Sequence, residues 1–302
     1  MTVAKLATPN HIDICYEIFG EEHGGPPIVL ISGAGLQMLA WPDPFCEMLA
    51  ARGYRVIRFD NRDTGESTIL KDLPAPAPWR VALMHKLGFP VHPPYTLEDM
   101  AGDVVHLLDG LGVPQAHLVG ISLGGMIAQL VAINYGDRVA SLTCIATAAR
   151  NSRHTMPKIG TVLQIMRSPR PGRQGYIDWT LALVRAVGGA AASGPDDYLR
   201  ELAGRMFDRG IHDDGMRRQV SAVYAASDRR PALKGVTAPT LVIHGADDPI
   251  IHPQASKEIA TAVPGAQYCT IAGMGHGILQ PVWPRLVELI GRHLQMASLS
   301  PS

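Results

Sequence analysis

Nine residues, His117-Leu118-Val119-Gly120-Ile121-Ser122-Leu123-Gly124-Gly125, restrict what this chain can fold into more than any other stretch. An apolar run ends in Gly-x-Ser-x-Gly, and an apolar segment of helical character follows at once. A strand that delivers a serine to a sharp turn, with a helix leaving from it, presents the hydroxyl at the edge of a sheet. The turn forces Ser122 into a strained backbone conformation. Gly120 and Gly124 flank it because a side chain at either place would collide with the neighbouring strand or helix. An ordinary serine in a tight turn would also satisfy this pattern. What distinguishes a nucleophile is the company the rest of the chain brings to that edge.

The remaining strands read as short runs separated by helical patterns. Residues 12–19 alternate apolar and polar, as an early antiparallel strand does. Ile28-Val29-Leu30-Ile31 is a continuous apolar run, the mark of a strand buried on both faces. Ser32-Gly33-Ala34-Gly35 follows it, a glycine-rich loop able to aim backbone N–H groups at an anion. The Ala34 N–H is one expected oxyanion donor, and the Leu123 N–H, just after the serine, is its partner. Further strands are expected over 54–60, 141–145, 240–244 and 267–271. Helices are expected over 41–52, over 97–111 with Thr96 as N-cap and Asp99 completing a capping box, over 123–135, over 254–263 and over 283–294. The polar loop Asn61-Arg62-Asp63-Thr64-Gly65-Glu66-Ser67 is expected to pin itself through side-chain-to-backbone hydrogen bonds. Residues 69–95, rich in proline, read as a long loop bordering the site entrance.

Between Arg150 and Arg230 strand-like runs disappear. Helical patterns carry Met156, Ile159, Leu163 and Met166, then Tyr176, Trp179 and Leu183, then Tyr198, Met206, Phe207 and Tyr224. This is expected to be a helical cap, 150–230, inserted into a core made of 1–149 and 231–302. Most of these apolar residues would form the cap's own core, and Gly35, Met156, Trp179, Met206 and Tyr224 are the candidates for lining a substrate pocket. The segment 150–230 holds 14 Lys+Arg against 8 Asp+Glu, and the remainder of the chain carries the opposite imbalance. Solvated helix faces would account for this, as would a positive lid that attracts anionic substrates.

The 302 residues, 46% hydrophobic and 18% charged, suit one large domain or a domain with an insertion. A formal net charge of zero supplies no global field towards nucleic acid or a membrane surface. Cys15, Cys46, Cys144 and Cys269 lack any Cys-x-x-Cys spacing and read as free thiols of a reducing compartment. Met1 to Asn10 has no apolar core of a signal peptide, and no run approaches 18 apolar residues. A cytoplasmic protein without a membrane span is expected.

Alternating strands and helices imply a mostly parallel sheet covered on both faces. In such sheets the site lies past the carboxyl ends of the strands. Ser122, Asp248 and His276 each follow a strand directly, so all three can converge there, in the order serine, acid, histidine. The chain is identified as a member of the α/β-hydrolase superfamily over nearly its whole length. Within it, Trp41-Pro42, Arg58-Phe59-Asp60-Asn61-Arg62-Asp63-Thr64-Gly65-Glu66-Ser67, the segment Gly120–Gly125, Asp248-Pro249, Pro264-Gly265 and Gly273-Met274-Gly275-His276 resemble the aclacinomycin methylesterase type and related esterases of polyketide or macrolide esters. The family acid usually stands three residues past the strand-end glycine, here Gly245, which favours Asp248 over Asp247. Many relatives carry His-Gly where this chain has Ser32-Gly33, but a backbone donor needs no particular side chain. Haloalkane dehalogenases and epoxide hydrolases of this fold use an aspartate where Ser122 stands.

A serine hydroxyl needs a base to take its proton as it attacks. An imidazole titrates near neutrality and suits that task. A carboxylate must hold its tautomer and stabilise the imidazolium. The expected activity is hydrolysis of a carboxylic ester or lactone of a medium-to-large apolar small molecule through an acyl-enzyme. No cofactor or metal is implied. The alternatives are a carbon–carbon bond hydrolase, a cofactor-free perhydrolase on the same triad, or a non-catalytic small-molecule binding protein.

Overall fold

The short apolar runs become the strands of a single sheet: β1 (Ala4–Leu6), β2 (Ile14–Phe19), β3 (Pro27–Ile31), β4 (Arg55–Phe59), β5 (Ala116–Ile121), β6 (Val139–Ile145), β7 (Thr240–Gly245) and β8 (Gln267–Ile271). The computed structural model describes residues 3–157, 160, 161, 164 and 169–299. The strand order is β1-β2-β4-β3-β5-β6-β7-β8. β1 and β2 run antiparallel at one edge, and the six strands from β4 to β8 are parallel. The chain leaves β3 for β4 on one side and leaves β5 for β6 on the other. The topological switch therefore lies between β3 and β5, where open parallel sheets bind ligands.

Register brings the site loops level. Ile31 pairs with Gly120, so the loops after β3 and β5 emerge side by side. Gly245 pairs with Ile271, which does the same for the loops after β7 and β8. Two layers of apolar side chains cover the sheet. One face packs on α3 (Leu97–Gly110), α4 (Leu123–Asn134) and α9 (Pro253–Ala262) through Leu107, Ile127, Val131 and Ile259. The other packs on α1 (Asp43–Ala50) and α10 (Trp283–Leu299) through Phe45, Leu49, Leu286 and Ile290. Each such fully buried side chain contributes about 1.5–3 kcal/mol relative to exposure. Thr96 caps α3 in a reciprocal box with Asp99. All of α4 from Leu123 to Ala132 is buried, as its uniformly apolar sequence requires.

Two elements carry no clear sequence signal. β1 is only three residues long. The proline-rich connection holds α2 (Pro78–Lys86), which fully buries only Val81 and leaves Trp79 and Leu83 exposed. A helix with one buried position shows no apolar stripe. Pro78 at its first turn supplies the fixed φ that starts it.

Between β6 and β7, no strand occurs among the described residues. The segment contains α5 (Arg173–Val187), α6 (Asp197–Asp208), α7 (Asp213–Ala225) and the short α8 (Arg230–Leu233). Ile177, Leu181 and Ala203 form a small apolar cluster of their own, with Tyr176 and Leu199 against it. Ile159, Leu163 and Met166 lie outside the described residues. All four cysteines are free, and burial pushes the Cys46 and Cys144 thiols up to about 12. No helix among the described residues is long and apolar enough to cross a membrane.

The charge imbalance has a structural partner that neither sequence reading anticipated. Three arginines of this helical segment pair with acids of the core. Arg218 of α7 holds Asp63 with two hydrogen bonds, 2.8 Å and 2.7 Å, and both side chains are buried. Arg209 pairs with Asp60, and Arg205 with Asp43 at 2.9 Å. The loop after β4 makes the side-chain-to-backbone bonds expected of it, with Asp60 accepting from Met38 and Glu66 and Asp63 accepting from Leu70. Its acids also act as anchors for the helices above.

Burial would raise the Asp63 carboxyl, but Arg218 and the Leu70 N–H hold it below the usual carboxylate range. Its contribution is therefore complete at neutral pH and fades only as pH falls through that depressed titration. Arg218→Met leaves Asp63 buried without its cation. The expected loss is about 3–5 kcal/mol, measured as a lowered urea midpoint at constant slope. A change below about 1 kcal/mol would remove this pair as an anchor.

Candidate active site

The turn between β5 and α4 holds Ser122 at φ 54° and ψ −119°, a conformation that costs a non-glycine residue on the order of 1–3 kcal/mol. Several contacts hold it there. The Ser122 N–H donates to the Ile145 carbonyl at 2.9 Å. Its carbonyl accepts from Gly125, Met126 and the Thr147 hydroxyl, the last at 2.6 Å. Neither flanking glycine can be replaced. A Cβ on Gly120 would stand 2.2 Å from the Gly124 carbonyl oxygen, and one on Gly124 2.1 Å from that of Ile31.

Three of the sequence candidates meet at this turn. Ser122 Oγ lies 3.0 Å from His276 Nε2, and His276 Nδ1 lies 2.7 Å from Asp248 Oδ2. Asp248 Oδ1 accepts from the Ile250 and Ile251 N–H groups at 2.8 Å and 2.9 Å. Asp247 is exposed, and its N–H donates to the Met274 carbonyl. Burial would raise the Asp248 carboxyl, but His276 and His244 outweigh it and hold it well below the usual range. It is an acceptor throughout the neutral range. The His276 loop is tied to the end of α5: the His276 N–H donates to Val187 at 2.7 Å and the Gly275 N–H to Gly188 at 3.0 Å.

The loop after β3 runs beside this group. A Cβ on Gly33 would stand 3.5 Å from that of Ser122. The Gly35 N–H is occupied, donating to Gln219 Oε1 at 2.7 Å. The Ala34 and Leu123 N–H groups have no protein acceptor among the described residues. Ser32 is buried with its hydroxyl towards the Gln37 carbonyl.

Sequence reasoning missed what fixes this loop. Gln219 of α7 also donates to the Arg62 carbonyl and the Thr64 hydroxyl. Gln37 donates to the carbonyls of Met206 and Gly210, both at 2.8 Å. No local pattern marks either glutamine, because each has its partners more than 150 positions away in the chain.

The five pocket candidates are spread along the helical segment and its seam with the core. Gly35 has φ 68°, and Met216 fills the space where its Cβ would stand. Met206 is buried, with its carbonyl on Gln37. Trp179 packs on Tyr176, ring centres 5.9 Å apart, within the α5–α6 pair. Tyr224 packs on His85 of α2 at 5.4 Å. Met156 is exposed.

This arrangement contains a hydroxyl, a base that can take its proton, a carboxylate that orients the base, and two free backbone donors beside them. The chain is 27% identical over 315 residues to the rhodomycin D methylesterase of Streptomyces peucetius, covering 98% of this chain and 99% of that one. It superposes on the enol-lactonase from Burkholderia xenovorans LB400 with TM-score 0.73 and 25% identity, covering 97% of this chain and 100% of the other. The meta-cleavage product hydrolase from Pseudomonas fluorescens IP01 matches at TM-score 0.75 and 19% identity over 97% and 98% of the two chains, a likeness of fold. Residues 26–279 match the alpha/beta hydrolase fold family, and the chain belongs to that family.

Proposed function

We propose that this protein hydrolyses a carboxylic ester or lactone of a medium-to-large apolar small molecule, with Ser122 as nucleophile. The observation that carries the reading is the continuous hydrogen-bonded line from Ser122 Oγ through His276 to Asp248, at 3.0 Å and 2.7 Å. As Ser122 Oγ bonds to the substrate carbonyl carbon, its proton passes to His276 Nε2. The carbonyl oxygen becomes an oxyanion that accepts hydrogen bonds from the Ala34 and Leu123 N–H groups. Donors preorganised in this way each supply on the order of 3–4 kcal/mol to the transition state. The tetrahedral intermediate expels the alcohol, which takes the proton from His276. Water then gives its proton to His276 as it attacks the acyl-Ser122 carbonyl, and the acid leaves with Ser122 restored.

The methylesterase relative and the enol-lactonase neighbour favour an oxygen ester over other acyl groups. Residues 150–230 act as a cap whose seam with the core, near Gly35 and Met206, sets the shape of the substrate. The test is labelling with a fluorophosphonate followed by peptide mapping, together with turnover of p-nitrophenyl esters. One adduct, on Ser122, and burst-phase release of nitrophenol are expected. A folded protein that neither labels nor turns over esters would overturn this reading and bring the binding-protein reading to the front.

A further inference from the structure

The triad acid has a second histidine against it. His244, the next-to-last residue of β7, is fully buried. Its Nε2 lies 2.9 Å from the Ile251 carbonyl oxygen and 3.1 Å from Asp248 Oδ2. Its Nδ1 lies 2.6 Å from Ser256 Oγ of α9. Ser256 in turn lies 2.7 Å from the Thr147 carbonyl oxygen.

The protons follow from what each atom can do. A carbonyl oxygen only accepts, so the single proton of Ser256 points to Thr147. Ser256 Oγ is then an acceptor towards His244, and Nδ1 must carry a proton. At Nε2 both neighbours are acceptors, a carbonyl and a carboxylate, so Nε2 must carry one too. From these contacts we infer that His244 is a buried imidazolium paired with Asp248, so that the triad carboxylate stands between two histidine rings rather than facing one. The titratable groups facing His244 are Asp248 and, across that carboxylate, His276. α9 presents the Ser256 hydroxyl, the chain after β6 the Thr147 carbonyl, and β8 pairs Thr270 alongside. A ring with one proton would leave lone pair against lone pair in a dry site, either at a ring nitrogen or between the Ser256 and Thr147 oxygens, and the doubly protonated ring beside its counter-ion avoids both.

His244 touches no substrate; it is a positioning residue. It fixes the second lone pair of Asp248 Oδ2 and offsets part of the carboxylate's charge. His276 must be neutral to accept the serine proton, and a cation on the far side of the shared Asp248 Oδ2 places the acid limb of the rate profile lower than an unshared carboxylate would. This consequence for rate rests on the hydrolase reading above, whereas the charge on His244 does not.

Two measurements test it. Ring ¹⁵N NMR of the intact protein at pH 7 should place both nitrogens of His244 in the imidazolium range. A His244 ring with one bare nitrogen would overturn the assignment. Then His244→Gln, which keeps a donor towards Ile251 but removes the charge, should move the acid limb of kcat/KM on a p-nitrophenyl ester to higher pH. Lowered activity with an unmoved limb would mean that His244 only packs. If the variant fails to fold, the NMR result on the native chain decides. An imidazolium without any ester turnover would leave this assignment standing and count against the hydrolase reading.

Discussion

Ser122→Ala is expected to abolish ester turnover while leaving the fold intact. Loss of a nucleophile of this kind costs on the order of 10⁴-fold or more in kcat. The substitution deletes one oxygen, whose hydrogen-bond partner is His276 Nε2. The backbone contacts that hold the turn, to Ile145, Gly125, Met126 and Thr147, do not involve the side chain. The alanine keeps the same Cβ at φ 54°, so the strain is unchanged and unfolding stability should move by less than about 0.5 kcal/mol. The combination is diagnostic. An equal melting curve with no turnover and no fluorophosphonate adduct assigns the hydroxyl a chemical role. Residual activity above about 1% would take that role from Ser122.

The parts of this molecule that could be read from sequence are those set by neighbours in sequence. The elbow was legible because strand, serine and helix are contiguous and because Gly120 answers a backbone approach by Gly124, only four residues away, whereas the Ile31 carbonyl that Gly124 admits is brought there by the sheet. Asp248 and His276 were legible because each follows an apolar strand directly, and the sheet's geometry carries strand ends to one edge. The Thr96 box on α3 has the same local character. The anchoring network did not show itself. Arg218 and Asp63 stand 155 positions apart, and an arginine on a helix gives no sign of whether it will meet water or a buried carboxylate. Part of the excess positive charge of residues 150–230 is the complement of acids in the loop after β4 and at Asp43. His244 was hidden for another reason. It sits inside an apolar strand pattern, and only the fold reveals that its ring reaches the acid four residues later. α2 reads as loop in the sequence because its exposed Trp79 and Leu83 break the expected stripe.

Asp248→Asn should be nearly as damaging as loss of the serine, and Asp247→Asn close to silent. Asp248 Oδ1 is fixed by two backbone N–H groups, from Ile250 and Ile251. An asparagine keeps its oxygen there and turns its NH₂ towards His276 Nδ1. Two donors cannot face each other, so the ring takes the other tautomer, with its proton on Nε2. That proton points at Ser122 Oγ, and the base can no longer accept. Such a tautomer reversal costs on the order of 10⁴-fold in kcat. The same NH₂ meets His244, whose ring loses its counter-ion, so a stability loss should accompany the loss of rate. The native carboxyl is held below its ordinary titration range, so this stabilisation is present at neutral pH and disappears only in strong acid. Asp247 is exposed and engages the site only through its backbone N–H to Met274, which asparagine retains. Its variant should stay within about 3-fold of native activity, as surface substitutions usually do. Parallel kcat measurements on the two variants decide the matter: a severe Asp247→Asn with a mild Asp248→Asn would move the acid by one residue and break the hydrogen-bonded line on which the proposed chemistry stands.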